Sequence, residues 1–270
     1  MLHEVLQIVR MTHPGLVREH NEDVVASDAD IGLLLLADGM GGYQAGEVAS
    51  DIATSTVMSS MQAAIKHASA AGQKRQLREY LETAVARANQ AVYNVGMAVP
   101  ECHGMGTTLV AGLFDNNQLM VAHIGDSRLY RWRAGELALL TEDHSVLQEQ
   151  INAGLMNQDE ARHSHLRNLL TRALGTDAEV APEINVFDVE PEDLYLLCSD
   201  GLNDMLTDHE IAEILDDDMR LETVAEELIK VANHHGGRDN ISVVLCRVLR
   251  EFPAARRRRT PWQVWRERFE

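Results

Sequence analysis

Four aspartates of this sequence stand next to long apolar segments. Asp38 follows LLLLA at 33–37, and three glycines lie among the next four residues, so we expect a strand that ends in a glycine loop. Asp126 and Asp200 end the segments QLMVAHIGD and LYLLCSD, and Asp239 comes just before ISVVLCRV. A single Asp-Gly pair is also a common turn. Aspartates at four strand ends, however, would repel one another and raise their pKa values unless cations lay between them. The recurrence therefore predicts a site for divalent metal.

The residue types also indicate which metal and which reaction. No CxxC or HExxH pair accompanies the aspartates, so their oxygens favour Mg²⁺ or Mn²⁺ over Zn²⁺. Two such ions about 3.5–4 Å apart can share a carboxylate, lower the pKa of a bridging water and clamp a transferring phosphoryl group. Arg18, four residues before Glu22, is the candidate for holding the phosphate, because its planar guanidinium donates two hydrogen bonds at once. His144, His163 and His165 are interpreted as surface or loop residues.

The hydrophobic pattern predicts the elements that position these residues. Apolar residues at i, i+3, i+4 and i+7 indicate amphipathic helices, and short apolar runs bounded by turn residues indicate strands. Strands are predicted at 5–9, 23–27, 33–37, 107–114, 119–124, 127–132, 137–140, 183–189, 194–199 and 241–249, and helices at about 45–65, 76–95, 208–215 and 221–232. The segment 141–176 is predicted to be polar and helical. This order favours an α+β layered protein with antiparallel hairpins over alternating βαβ units.

Composition and charge limit the classes of function. The chain has 270 residues, a length that fits one large domain or two small ones, and its hydrophobic content of 45% is ample for a core. Its net charge is −18, and because residues 250–270 carry +4, residues 1–249 carry −22. A negative charge of this size on residues 1–249 repels nucleic acid and concentrates cations in a cleft. We therefore expect no nucleic-acid partner.

The cysteines and the lengths of the apolar segments indicate the cellular compartment of the protein. Cys102, Cys198 and Cys246 are an odd number without CxxC spacing, which predicts free thiols in a reducing compartment. Polar and charged residues interrupt positions 1–12, as they would not in a signal peptide, and no apolar stretch reaches 18 residues. We expect a cytoplasmic protein.

The tail at 250–270 differs from the rest of the chain. RRRR at 256–259 precedes a segment in which Trp262, Trp265 and Phe269 could share one helical face. The tail is either a disordered or weakly docked end, or it docks on the acidic body, on a partner or on an anionic membrane surface, where basic and aromatic residues occur together.

Eight motifs in order resemble one family. They are R18-EHN-ED, D38-GMGG, GMGTT at 104–108, GDSR at 125–128, TEDHS at 141–145, LTRALG at 170–175, SDGLND at 199–204 and GRDNIS at 237–242. Together they resemble the bacterial PP2C-type, metal-dependent serine/threonine protein phosphatases over about residues 5–249. The resemblance implies a four-layer sandwich of two antiparallel β-sheets flanked by pairs of α-helices, with the metals at one end between the sheets.

The resemblance also implies two principal metal ions. By position in the motifs, Asp38 would bridge the two ions, and the carbonyl of Gly39 would bind one of them. Asp200 and Asp239 would complete the site of the first ion. Glu22 would serve the second.

Further roles come from the same resemblance. Asp23 would steady the waters of the second ion, and Asp126 and Asp204 match positions that hold a third, weaker ion. Arg18 matches the phosphate-binding arginine. Residues 141–176 correspond to a mobile flap beside the substrate cleft.

The implied reaction is attack on phosphoserine or phosphothreonine by a hydroxide that bridges the metals, without a phosphoenzyme. Animal members have a histidine after the Asp-Gly pair, which is thought to protonate the leaving oxygen, whereas this sequence has Met40. We expect a metal-bound water to supply that proton. Members of this kind commonly oppose a bacterial serine/threonine kinase, which the resemblance implies as a partner beside the phosphorylated proteins.

Three other functions remain to be weighed. A binding module that keeps the fold without turnover is less favoured because Asp38, Asp200 and Asp239 are all present. A two-metal nuclease or phosphodiesterase also uses clustered aspartates, but the negative body disfavours a polyanionic substrate. A Ser-His-Asp hydrolase is weaker still, because no GxSxG occurs and Ser127 and Ser199 lie beside the predicted metal ligands.

Overall fold

A computed structural model describes residues 2–42, 44–71, 76–157, 160, 169–216 and 219–252. Their strands are Leu6–His13 (β1), Asp23–Asp28 (β2), Leu33–Met40 (β3), Gly106–Thr107 (β4), Leu109–Asp115 (β5), Gln118–Ile124 (β6), Arg128–Arg133 (β7), Glu136–Leu139 (β8), Glu183–Asp188 (β9), Leu194–Cys198 (β10) and Ile241–Val248 (β11). Their α-helices are Ala45–Ala71 (α1), Leu77–Ala98 (α2), Val146–Asn152 (α3), Asp200–Asn203 (α4), Asp208–Leu215 (α5) and Leu221–His234 (α6), with 3₁₀ turns at Leu2–Glu4 and Pro100–Cys102.

The strands form two antiparallel sheets. One sheet has the order β1-β11-β10-β7-β8, and the other has the order β2-β3-β5-β6-β9, with β4 paired to the end of β3. Helices α1 and α2 cover the outer face of the second sheet, and α5 and α6 cover the outer face of the first. The predicted four-layer α+β sandwich is confirmed.

Strand β3 shows why its sequence is a continuous apolar run. Leu33 and Leu35 pack against α1 and α2, whereas Leu34 and Leu36 pack between the sheets against residues such as Val244. Because side chains of a strand alternate between its two faces, a strand buried on both faces needs an apolar residue at every position. This run therefore fixes β3 in the middle of the protein and brings Asp38 to its end.

The predicted glycine loop after Asp38 is wrong in its extent. Strand β3 continues through Gly39 and Met40, which pair with Thr107 and Gly106 of β4. This partner lies far away in sequence, so the local Gly-rich pattern gave no sign of it. Asp38 is held in a strand and not in a loop.

Two other predictions concern parts that the structure describes only partly. In the segment 141–176, the described residues include the short helix α3 at Val146–Asn152. It begins after Ser145, whose hydroxyl accepts a hydrogen bond from the Gln148 amide at 3.2 Å. Of the tail, residues 250–252 are described, and Phe252 is buried and stacks on Phe114 with ring centroids 6.0 Å apart. Residues 253–270, with the predicted aromatic face, lie outside the described residues, as do His163 and His165.

The cysteine prediction is confirmed, since Cys102, Cys198 and Cys246 are free and the last two are buried. Burial raises the pKa of Cys198 to about 12, so this thiol is unreactive. None of the helices in the described part of the chain is long and apolar enough to cross a membrane.

Candidate metal centre

Strand pairing gathers the acidic residues at one end of the sandwich. Asp23 at the start of β2 lies directly opposite Asp38 on β3. The end of β10 pairs with the start of β11, since Cys198 lies opposite Val243. This brings Asp200, at the start of α4, close to Asp239, in the loop before β11. The metal site that the sequence predicted from four strand ends is therefore a single cluster.

The pKa values of the clustered carboxylates are raised because these groups are buried and lie close to one another. Burial raises the pKa of Asp38 well above its usual range, and the charges of Asp23 and Asp200 add to the rise. Burial likewise raises the pKa of Asp200, with the charges of Asp126 and Asp204 next in size. Removing carboxylates from water and placing them side by side disfavours their ionised form. The fold of the protein therefore keeps these carboxylates together although both their burial and their mutual repulsion oppose ionisation.

Two further residues show smaller shifts of the same sign. Burial raises the pKa of Asp23 to about 6, although hydrogen bonds from Ser242 and Ser199 oppose the rise. Burial raises the pKa of Asp126 to about 7, with the charge of Asp143 as the second cause. A cation bound beside either group would favour its ionised form, so each carboxyl would lose its proton to water when the cation binds.

The donor set fits a hard divalent cation. Among the described residues, Glu22 Oε1 and Asp23 Oδ1 are buried without a hydrogen-bond partner. Buried carboxylate oxygens without partners cost free energy unless a cation or water meets them. Since the ligand atoms are carboxylate oxygens, they match Mg²⁺ or Mn²⁺.

A glycine on α1 leaves room for one of these carboxylates. A Cβ atom at Gly46 would lie 2.6 Å from the Glu22 carboxyl carbon and 2.7 Å from its Oε1. Any larger residue at this position would displace Glu22. The approach of α1 to the cluster therefore depends on Gly46.

Arg18, the predicted phosphate-binding residue, lies beside the cluster. Its Nη2 donates a hydrogen bond to Asp239 Oδ2 at 2.7 Å, and this bond raises the pKa of the guanidinium. About half of the side chain, 52%, remains exposed. The guanidinium is therefore tied to the cluster on one side and open to a ligand on the other.

Asn240 is a site residue that the sequence analysis missed. Its Nδ2 donates to the carbonyls of Pro14 at 3.0 Å and His20 at 2.9 Å, and its Oδ1 accepts from the Glu22 amide at 2.8 Å. One buried side chain thus fixes both ends of the loop that carries Arg18. The signal in the sequence was its place directly after Asp239.

Hydroxyl groups hold the carboxylates in place. Ser199 Oγ donates to Asp23 Oδ2 at 2.8 Å and accepts from the Ser242 amide at 3.0 Å. Thr108 Oγ1 accepts from the Asp38 amide at 2.9 Å. Since Ser199 is bonded to the cluster and buried, it is not available as a nucleophile.

The base of the predicted flap is tied to the loop of Asp126. Arg128 donates to both carboxylate oxygens of Asp143, at 2.9 and 2.7 Å, and the His144 amide donates to the Gly125 carbonyl at 2.9 Å. At the other end of the flap, the Gly175 amide donates to Asn89 Oδ1 at 2.8 Å. One end of the segment is thus anchored beside the loop of Asp126, and the other is anchored on helix α2.

His144 lies in a loop, which is one of the two predicted alternatives, but it is buried and not on the surface. It stacks on His123 with ring centroids 4.7 Å apart, and its Nε2 lies 3.7 Å from Glu183 Oε2. Its Nδ1 accepts from the Gly125 amide, so the proton of the neutral ring is on Nε2. That nitrogen is therefore a donor facing Glu183 and has no lone pair for a metal. Burial and the neighbouring His123 lower the pKa of His144.

Comparison with known proteins identifies the family. The sequence profile of the family described as protein phosphatase 2C matches residues 17–245, which include every predicted site residue. The chain belongs to the protein phosphatase 2C family. The predicted resemblance is confirmed.

Named members of the protein phosphatase 2C family are similar to most of this chain. The serine/threonine phosphatase stp of Listeria monocytogenes is 35% identical over 237 residues, which cover 87% of this chain and 92% of that protein. The serine/threonine protein phosphatase PstP of Mycobacterium tuberculosis is 42% identical over 249 residues, which cover 91% of this chain and 45% of that protein. A crystal structure of the catalytic domain of PstP in complex with two manganese ions has 39% identity and a TM-score of 0.78, and the match covers 91% of this chain and 99% of that one.

Proposed function

We propose that this protein phosphatase 2C hydrolyses phosphoserine and phosphothreonine in proteins, with Mn²⁺ or Mg²⁺ as its cofactor. The observation that carries the proposal is the buried cluster of carboxylates with an arginine at its open side. The names of the relatives as serine/threonine phosphatases and the two manganese ions of PstP support it. Phosphorylated proteins are accordingly its substrates.

The residues that would hold two cations are those of the cluster. Asp38 would contact both ions, and the Gly39 carbonyl, Asp200, Asp239 and Glu22 would complete their sites. When bound, two such cations polarise the oxygens of a phosphoryl group and lower the pKa of water.

The remaining acidic residues would support these sites. Asp126 and Asp204 would hold a third ion together with Asp200, which is consistent with the effect of their charges on its pKa. Asp23 would orient water, since its Oδ2 accepts from Ser199 and its Oδ1 has no protein partner.

Arg18 would bind the phosphate of the substrate. Its hydrogen bond to Asp239 fixes the guanidinium before the substrate arrives, so little further ordering is needed. Met40, at the end of β3, carries no proton to donate. Water in the site would therefore protonate the leaving serine or threonine oxygen.

Three further proposals concern the opposing kinase, the cellular location of the protein and its tail. We infer from the family resemblance that the enzyme opposes a serine/threonine kinase that phosphorylates the same proteins. The free thiols of Cys102, Cys198 and Cys246 support the cytoplasm as its location. Contact of the tail with an anionic membrane remains a proposal based on its basic and aromatic residues alone.

The direct test is hydrolysis of a phosphothreonine peptide by the purified chain. We expect phosphate release with Mn²⁺, loss of release with excess EDTA, and recovery when Mn²⁺ is restored, because the carboxylate cluster needs the cation to act on phosphate. Bis-p-nitrophenyl phosphate, a phosphodiester, is the control substrate. Absence of turnover with Mn²⁺ demonstrably bound would leave a binding module, and faster cleavage of the diester than of the peptide would indicate a nuclease or phosphodiesterase.

A further inference from the structure

Two large apolar side chains lie exposed directly before the phosphate-binding arginine. Leu16 is 67% exposed and Val17 is 66% exposed, and both belong to the loop that carries Arg18. Single exposed apolar residues are common, but two beside a ligand-binding residue form a patch that suits a partner.

The loop that presents them is fixed rather than loose. The Leu16 amide donates to the Gly237 carbonyl at 2.7 Å. Gly15 has a φ of +79°, and a side chain there would collide with the Asp239 carbonyl. Together with the Asn240 bond to the Pro14 carbonyl, these contacts hold Leu16 in one position. A side chain that is ordered before binding loses less entropy when a partner covers it.

Leu16 forms one wall of a groove, and helix α6 forms the other. The groove has a volume of about 690 Å³ and is lined by Leu16, Glu227, Lys230, Val231, Asn233 and His234. The two opposite charges on its rim are paired, with Lys230 Nζ 2.8 Å from Glu227 Oε2. The groove therefore offers apolar surface with little net charge, which suits an uncharged, apolar side chain.

The groove lies beside the proposed site of the reaction, because Leu16 and Arg18 belong to the same loop. Leu16 and Arg18 are two residues apart, so their Cα atoms are at most about 7 Å apart. The segment 237–240 accepts the Leu16 amide at one end and supplies Asp239, the partner of Arg18, at the other. Since an extended peptide advances about 3.3 Å per residue, a separation of about 7 Å along the loop corresponds to about two residues of a bound peptide, and the length of the Arg18 side chain adds to this span.

We propose that this groove binds an apolar side chain of the substrate that lies two or three residues from the phosphoserine or phosphothreonine. The inference rests on the proposed phosphatase function and adds a sequence preference to it. Leu16 is then a residue that determines which phosphorylated proteins are preferred. Covering Leu16 with a leucine or isoleucine of the substrate removes apolar surface of both from water, which favours binding.

The test compares two phosphothreonine peptides that differ in the flanking residues. One peptide has leucine at the second and third positions on both sides of the phosphothreonine, and the other has serine there. We expect kcat/KM to be about tenfold higher for the leucine peptide, through a lower KM, which corresponds to the burial of one apolar side chain. In Leu16→Ser, the ratio between the two peptides is expected to fall to about one.

The control variant is Leu249→Ser, at the far end of β11 from Asp239, where Leu249 is 45% exposed. It should keep the tenfold ratio. Activity of every variant toward p-nitrophenyl phosphate, which has no flanking residues, reports separately on the catalytic site. Equal rates on the two peptides in the natural protein, or a ratio that survives in Leu16→Ser, would overturn the groove proposal alone. Lack of turnover on all three substrates would instead contradict the proposed function.

Discussion

Replacement of Asp38 by asparagine is expected to lower kcat/KM for a phosphothreonine peptide by on the order of a thousandfold. Asp38 is the buried carboxylate at the centre of the cluster, and the charges of Asp23, Asp200, Asp126 and Asp239 all act on it. An amide cannot balance the charge of two cations, so both would bind more weakly. Phosphate release at a fixed Mn²⁺ concentration measures the effect, and calorimetric titration with Mn²⁺ measures the loss of affinity.

A matched control removes one negative charge elsewhere. Asp51 is exposed on α1. Asp51→Asn should therefore keep both turnover and Mn²⁺ affinity. Circular dichroism shows whether each variant is folded. A loss of less than tenfold in Asp38→Asn, with its Mn²⁺ affinity unchanged, would show that Asp38 does not hold the metals.

The metal-free protein is expected to become less stable as the pH rises from about 4 to about 7. The pKa of Asp126 is raised to about 7 in the folded protein, against about 3.9 for an aspartate in an unfolded chain. The folded protein thus binds this proton more tightly than the unfolded chain does. Its contribution to stability is complete below about pH 4 and is lost as the pH rises through 7. Asp23, with a pKa of about 6, acts in the same direction.

Replacement of Asp126 by asparagine should remove part of this penalty. The difference in pKa corresponds to at most about 4 kcal/mol, and about 2–4 °C of Tm accompany each kcal/mol in a chain of this size. In EDTA at pH 8 we expect the Tm of Asp126→Asn to exceed that of the natural protein by about 5 °C or more. At pH 4.5 the difference should be much smaller, since Asp126 is then protonated in the folded protein and partly protonated in the unfolded chain.

Thermal unfolding followed by circular dichroism makes this measurement. Asp51→Asn again serves as the control for the loss of one charge, and its Tm should change little at either pH. Addition of Mn²⁺ at pH 8 should raise the Tm of the natural protein, because the cation replaces the lost protons. If Asp126→Asn were no more stable than the natural protein at pH 8 in EDTA, burial of the ionised Asp126 carboxylate would not limit stability.

The sequence was sufficient to predict the elements that carry the site. Leu33, Leu34, Leu35 and Leu36 are buried on both faces of β3, and this burial is what makes the apolar run continuous and recognisable. The aspartates stand at the ends of such runs, and the pairing of the strands brings these ends together. The aspartates therefore lie close together, as predicted.

What the sequence did not predict depends on contacts between distant parts of the chain. Asn240 bonds to carbonyls 220 and 226 residues away, and its place directly after Asp239 was its one signal in the sequence. His144 is buried because it packs on His123 and bonds to Gly125, which its polar neighbours in sequence did not indicate. The roles of the site residues as metal ligands stay predictions that the variants above can test.

The central claim is that the carboxylate cluster binds the cations on which phosphate hydrolysis depends. The most direct measurement is a Mn²⁺ titration in which bound metal, by electron paramagnetic resonance, and hydrolysis of a phosphothreonine peptide are followed in the same samples, for the natural protein and for Asp239→Asn. We predict that hydrolysis rises together with the metal bound, and that Asp239→Asn moves both curves to higher Mn²⁺ concentration. Hydrolysis at full rate before metal binds, or metal binding that is unchanged in Asp239→Asn, would contradict this account.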